Sequence, residues 1–359
     1  MHKKLNFEII RTIAAIALSL LVAFIIILAV SKEPGEAFKM LLMGPLSSVR
    51  HFGNVIEMMI PLTFTGLAVS VMFQAKQFNL GADGAFFIGA VGATIIALEM
   101  SMPPVIHPTV AIIFGGALGA ITCMIPGILK NKWKANEVVS SLMLNYIMLY
   151  LGIYIIKNHL RDINAGTTVS QKFPSTAKLP KIVPNTRIHV GLIIVIALVV
   201  ILYFFMYKSK HGYEIRMTGQ NPMFAKYSGI NVNKVIINTQ ILGGFIAGIG
   251  GAVEVLGMYS RFEWQTSPNY GWDGIIVAIL ARNNPALVPV GAFFLAYLRV
   301  GADLMSRMTD VQNEVVAIIQ GIMIVLIDAE SFLSYWKKKR TFKEATSKTE
   351  IASQNLKTN

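Results

Sequence analysis

An all-α integral membrane protein is the fold class the sequence predicts, with about ten transmembrane helices, an inverted internal repeat and short broken helices. Three observations point to it. Of 359 residues, 54% are hydrophobic and only 14% charged, against about 25% charged in an ordinary soluble domain. The apolar residues fall in runs near the length of about 20 that crosses a bilayer core of about 30 Å. A short polar block also occurs twice, 190 residues apart. Such a composition excludes a cytosolic enzyme, a disordered chain and a collagen-like chain.

In chain order the apolar runs are Ile10–Val30, Phe52–Phe73, Leu80–Leu98, Thr109–Leu129, Val138–Ile156, His189–Tyr207, Val235–Tyr259, Pro285–Gly301 and Val315–Tyr335. The first is too long for a typical signal-peptide core and reads as a retained anchor. A tenth run, Gly271–Ala281, is too short to cross as a helix and reads as a half-helix or re-entrant element, which only protein or a cavity can shelter. Pro61 and Pro126 predict kinks in the second and fourth spans. Glu33–Ser48 is amphipathic and suits the outer membrane interface.

Ten passes put both termini on one side. With that side cytoplasmic, the inner segments and tail hold 20 Lys and Arg against 11 outside, while Arg299 falls within a span. The excess over short loops sets the orientation and places both ends in the cytoplasm. The net charge of +13 therefore reads as loops facing anionic membrane lipid, not as a nucleic-acid surface. Residues 1–336 form the transmembrane domain, with halves at roughly 10–156 and 188–335 and a cytoplasmic insert at 208–234. Residues 337–359 form a basic, disordered tail. Cys123 is the only cysteine, so no intramolecular disulfide can form.

The repeated block reads Asn-Leu-Gly-Ala-Asp-Gly at 79–84 and Asn-Tyr-Gly-Trp-Asp-Gly at 269–274. Each copy opens a short apolar helix, and the odd number of spans between them makes one enter from the cytoplasm and the other from outside. That is the inverted-repeat arrangement of many transporters. Asn caps helix starts, Gly allows a tight turn and Asp complements the positive end of the helix dipole. Asn79, Asp83, Asn269 and Asp273 therefore read either as caps or as walls of a substrate path, with Trp272 beside them. The two roles are compatible at broken helix ends near mid-membrane.

The run GGFIAGIGGAVEVLG at 243–257 carries six glycines. Gly244 with Gly248, and Gly115 with Gly119, are small-xxx-small pairs that suit close helix packing in lipid. Glu254, ionisable within that run, is a functional candidate by default. Asn145, Tyr146, Gln240 and Gln320 are weaker lining candidates of the same kind.

No P-loop, HExxH, G-x-S-x-G or Cys/His metal spacing occurs. The chain is expected to be no enzyme and to hold no cofactor, with energy coming from an ion gradient or another subunit. Within the insert, Asn221 suits an N-cap, Pro222 the first helical position and Gly229 the C′ terminator, bracketing a helix of about seven residues. Met223, Phe224, Ala225, Tyr227 and nearby Ile230 on so short a helix read as a ridge that docks in a partner's groove, in preference to a helix lying flat on the bilayer or capping the chain's own bundle.

FNLGADGAFFIGA at 78–90, NEVVSSLMLNY at 136–146, GQNPMFAKYSGINV at 219–232, the glycine run and GWDGIIVAILARNNP at 271–285 together resemble permease subunits of ABC importers of the branched-chain amino acid, simple sugar and nucleoside class. The likeness covers roughly residues 50–330, and within the class it is greatest to bacterial nucleoside importer permeases. The resemblance implies a bacterial cytoplasmic-membrane permease with a second permease subunit, separate ATPase subunits that bind the ATP, and an extracytoplasmic substrate-binding protein. It makes Asn221, Pro222, Phe224, Ala225, Tyr227 and Gly229 the coupling helix. This chain has Asp83-Gly84-Ala85 where family members often have Glu-Gly-Gln, and Ala281 where they often have Gly. A sugar or branched-chain amino acid importer, a self-contained ion-coupled transporter, and a membrane enzyme or scaffold are the competing readings.

Overall fold

The computed structural model describes residues 20–312 together with 315, 318, 321, 322 and 325. The helices are α1 (Leu20–Val30), α2 (Pro34–Met43), α3 (Val49–Gln74), α4 (Ala82–Glu99), α5 (Ile106–Trp133), α6 (Glu137–His159), α7 (Gly191–Lys208), α8 (Lys210–Gln220), α9 (Pro222–Tyr227), α10 (Val232–Met258), α11 (Tyr270–Leu280) and α12 (Val288–Met308). Among the described residues seven helices are long and apolar enough to cross a membrane, and α1 and α11 are shorter apolar helices. Residues 10–19, most of the 315–335 run, Gln320, the 337–359 tail and both termini lie outside the described residues.

Helix starts follow local chemistry. Ser48 caps α3 through the His51 amide, Asn136 caps α6 through Val138 and Val139, and Asn231 caps α10 through Lys234. Each side-chain oxygen satisfies amides that lack an intrahelical partner. Pro61 and Pro126 sit inside α3 and α5, which continue through them as single helices. The amphipathic stretch after α1 folds as α2 and a 3-10 turn, Gly44–Leu46. His189 lies ahead of α7 rather than in it, in a long irregular segment between α6 and α7 where Lys181 bridges His189.

Residues 43–300 form one compact unit, and the described residues up to Leu42 form another with those from Gly301 onward. In the smaller unit the Phe24 and Phe38 rings meet edge to face at 4.9 Å. Asp310 there accepts hydrogen bonds from the Ser31 hydroxyl at 2.6 Å and the Lys32 amide at 2.7 Å.

In the larger unit α3 and α4 are the most enclosed spans, whereas only about a quarter of the residues along α6 and α7 are buried. Exposed apolar helix faces are what a lipid solvent calls for. α10 packs along α5, α4 and α3. Its Gly244 lies against Gly119 of α5 and its Gly248 against Gly115, so the two small-xxx-small pairs meet each other; a methyl group on any of the four would strike a facing backbone carbonyl. Gly248 also touches Gly89 of α4. With no hydrophobic effect between helices in lipid, this close backbone approach holds the three together.

The two repeat copies meet halfway through the bundle. Gly274 of α11 rests on Thr65 of α3, Gly66 packs on Val277, and the Gln74 amide donates to the Asn283 carbonyl at 2.6 Å. α11 therefore runs parallel to the second half of α3, and its start is level with about Leu62, some 18 Å from the end of α3 at 1.5 Å per residue. Residues 75–81 approach from that end, where Lys130 donates to Gln77 and Glu137. Residues 259–269 approach from the opposite end, where Leu256 bonds Leu179 of the irregular segment and Gly53 touches Thr186. The blocks thus enter from opposite faces, as the repeat implies.

Candidate functional site

Where the two helix starts face each other, Asp83 of α4 takes the central position. Its carboxylate accepts the Gly271 amide at 3.1 Å and the Ser267 hydroxyl at 2.6 Å. Asp83 therefore caps the other repeat's helix rather than its own. Both helix dipoles present their positive ends here, and one carboxylate answers both.

The asparagines behave differently from each other. Asn79 is buried; its oxygen accepts the Gly81 amide, while its amide donates to Gln240 at 2.8 Å and to the Cys123 carbonyl. The N-cap position of α4 falls to Gly81, which has no side chain to offer, so the first turn of α4 is served by a residue from another helix, Asn145, whose oxygen accepts the Gly84 amide. Asn269 holds the N-cap position of α11 in a left-handed backbone conformation (φ 63°), and its side chain caps nothing. Among L residues Asn is one of the few that tolerates that conformation.

A cavity of about 260 Å³ opens beside this junction, lined among others by Asp83, Asn145, Tyr146, Ser267, Asn269 and Trp272. Asn145 is held by two bonds to the first repeat block, accepting the Gly84 amide and donating to the Leu80 carbonyl, each at 2.9 Å. Trp272 is 41% exposed and Tyr146 63%. The cavity thus joins a carboxylate, two carboxamides and two accessible aromatic rings. Four of the eight sequence-derived path candidates gather here: Asp83, Asn145, Asn269 and Trp272.

The other four lie elsewhere. Asn79 and Gln240 form the buried network just described. Asp273 is ion-paired with Arg299 at 2.5 Å. Glu254 is 1% exposed, neither of its oxygens has a hydrogen-bond partner, and it lies within electrostatic reach of Glu57 on α3. Burying an unpartnered carboxyl is costly.

Sequence reasoning did not connect Arg299 with Asp273 or Ser267 with Asp83. It also missed an aromatic cluster around Trp264, whose ring meets Phe86, Phe87, Tyr259 and Phe262 at centroid distances of 5.5–6.2 Å. This cluster ties residues 259–269 to α4. Its signal was present only as a local density of aromatics ahead of the second repeat block, at Tyr259, Phe262 and Trp264, and just after the first, at Phe86 and Phe87.

In the insert, the Asn221 side chain accepts the Met223 and Phe224 amides, Pro222 opens α9, and Gly229 follows it with φ 82°. The helix is six residues long. Ala225 turns inward and is fully buried, whereas Met223, Phe224 and Tyr227 are exposed, Tyr227 by 84%.

Residues 52–327 match the family model described as branched-chain amino acid transport system / permease component. The chain is similar to the guanosine ABC transporter permease protein NupP of Bacillus subtilis, at 32% identity covering 91% of this chain and 94% of the relative. The nucleoside ABC transporter permease protein NupB of Lactococcus lactis subsp. cremoris is 30% identical, covering 89% and 90%. The glucose ABC transporter permease protein TsgB13 of Haloferax volcanii is also 30% identical, covering 88% and 86%.

Proposed function

This chain belongs to the branched-chain amino acid transport permease family, and on that premise we propose that it is the membrane-spanning permease of an ATP-driven nucleoside importer in a bacterial cytoplasmic membrane. The observation that carries the nucleoside reading is the cavity at the helix junction. Trp272 and Tyr146 offer flat faces to a nucleobase, and Asn145, Asn269 and Asp83 offer hydrogen-bonding groups to base edges or ribose hydroxyls. The names of the Bacillus and Lactococcus relatives point the same way.

In this mechanism ATP is bound and hydrolysed by separate ATPase subunits, and the chain holds no cofactor of its own. Those subunits grip α9 through Met223, Phe224 and Tyr227, and their closure rocks the two halves, roughly 10–156 and 188–335, about the Asp83 junction. An extracytoplasmic binding protein delivers substrate, and a second permease subunit completes the path. Both termini lie in the cytoplasm. Asn79, Gln240, Glu254 and Asp273 brace the helices that move.

The test is uptake of radiolabelled guanosine, adenosine, uridine and glucose by cells that express the complete transporter, with and without this chain. Chain-dependent uptake of a nucleoside, abolished by ATP depletion and spared by an ionophore, is the expected result. The glucose relative favours a second reading, a sugar permease; chain-dependent glucose uptake with no nucleoside uptake would select it. Uptake that collapses with the ionophore alone would instead mark an ion-coupled transporter.

A further inference from the structure

A second cavity, of about 470 Å³, lies at the start of α3, remote from the helix junction. It is lined by Arg50, Asn54, Lys181, Ile182, Val183, Pro184, Asn185, Thr186 and Arg187. No acidic side chain lines it. Arg50 and Lys181 are exposed and take part in no salt bridge among the described residues. Arg187 faces Glu57, two turns further along α3 than Arg50, whose carboxyl feels its charge. The cavity thus brings together three cations, two carboxamides and the amino end of a 26-residue helix. Each of these features favours an anion with several acceptor oxygens.

The surroundings decide which anion. Val49, beside Arg50, is 75% exposed, and Leu46 in the preceding turn is 58% exposed; Ile182, in the cavity wall, and Phe52 are exposed as well. Cations interleaved with bare apolar side chains at the end of a spanning helix match the headgroup layer, where charge sits beside acyl chain. A volume many times the roughly 30 Å³ of a water molecule suits an esterified headgroup better than a bare ion.

We propose that the Arg50–Lys181–Arg187 cavity is a binding site for the phosphodiester headgroup of an anionic phospholipid. Arg50 and Arg187 grip the phosphate oxygens, Lys181 adds charge, and Asn54 and Asn185 bond the esterified alcohol. The lipid's chains cover Leu46, Val49 and Ile182. Held there, it fastens the irregular segment between α6 and α7 to the end of α3.

Native mass spectrometry of the delipidated full chain tests this, with phosphatidylglycerol, phosphatidylcholine or inorganic phosphate added back. Phosphatidylglycerol should be retained in preference to phosphatidylcholine, and millimolar phosphate should not displace it. An Arg50→Gln/Lys181→Gln variant should bind it roughly twenty-fivefold more weakly, from about fivefold for each interfacial cation, at an unchanged melting temperature in the delipidated state. Arg187 is kept because it also serves Glu57. Equal retention of the two lipids, displacement by phosphate, or unaltered retention in the variant would overturn the assignment. So would a variant that keeps its lipid but no longer captures an acidic extracytoplasmic binding protein, for then the cavity is a protein-docking surface.

Discussion

The Asp83 carboxylate and the Gly271 amide lie 188 residues apart in the chain and are joined by a 3.1 Å hydrogen bond. This bond and its companion from Ser267 close the junction of the two broken helices. Asp83→Ala leaves the Gly271 amide buried without an acceptor and should cost roughly 1.5–3 kcal/mol, the range for a hydrogen bond to a charged group. Asp83→Asn keeps an oxygen for Gly271 and should cost less. Melting temperatures of the two variants in nanodiscs check the order, and equal losses would mean the bond contributes nothing.

Arg299 is the partner that keeps Asp273 paired inside the bundle. Arg299→Ala should destabilise by about 3 kcal/mol, the low end for a broken buried pair because Arg299 is itself partly exposed. Adding Asp273→Asn should restore most of the loss. If the double variant is no more stable than the single one, the pairing is not what holds these helices.

Gly248 and Gly35 give opposite expectations for one substitution. At Gly248 a methyl group meets the Gly115 carbonyl, whereas at Gly35 in α2 nothing lies within 4 Å. Gly248→Ala should cost about 1–3 kcal/mol through overpacking, while Gly35→Ala should be neutral or stabilise by at most about 1 kcal/mol. Thermal unfolding of both variants compares them directly.

Tyr227 and Phe224 are exposed on α9. Tyr227→Glu should leave stability within about 0.5 kcal/mol of the wild type, as surface changes usually do, yet abolish uptake and co-purification of the ATPase subunit. Normal transport at normal membrane levels would remove α9 from the coupling role.

Hydrogen bonds from Ser31 and the Lys32 amide hold the Asp310 carboxyl below its ordinary range. A carboxyl depressed in the folded state stabilises above its unfolded value, near 3.9, and that contribution is lost as the pH falls through the folded value. Protection of the α1–α2 connection in hydrogen exchange should therefore weaken below about pH 4. Asp310→Asn should show weakened protection already at neutral pH and little further change on acidification.

Much of this architecture could be read along the chain because its signals are local. Apolar runs marked the spans, the block at 79–84 and 269–274 marked the helix starts, and Asn221, Pro222 and Gly229 bracketed α9 to within a residue. Gly115, Gly119, Gly244 and Gly248 announced close packing through their spacing alone. What stayed hidden depends on which distant residues meet. Asp83 carries the chemistry of a cap, and nothing nearby in the chain says that it caps a helix in the other repeat. Arg299 gave the opposite difficulty, a charge within a span whose partner lies 26 residues earlier on a different helix. Asn79 has the right residue type for a cap, but the Cys123 carbonyl and Gln240 claim its side chain.

Because one repeat supplies the carboxylate and the other supplies the amide, neither half owns a finished centre. Cutting the backbone within the irregular stretch between α6 and α7 would strand Asp83 on one piece and Gly271 on the other, and would separate the α4–α5 glycines from their α10 counterparts. The two fragments are thus complementary by construction: made separately in one cell, each has its strongest unmet contacts waiting on its sibling.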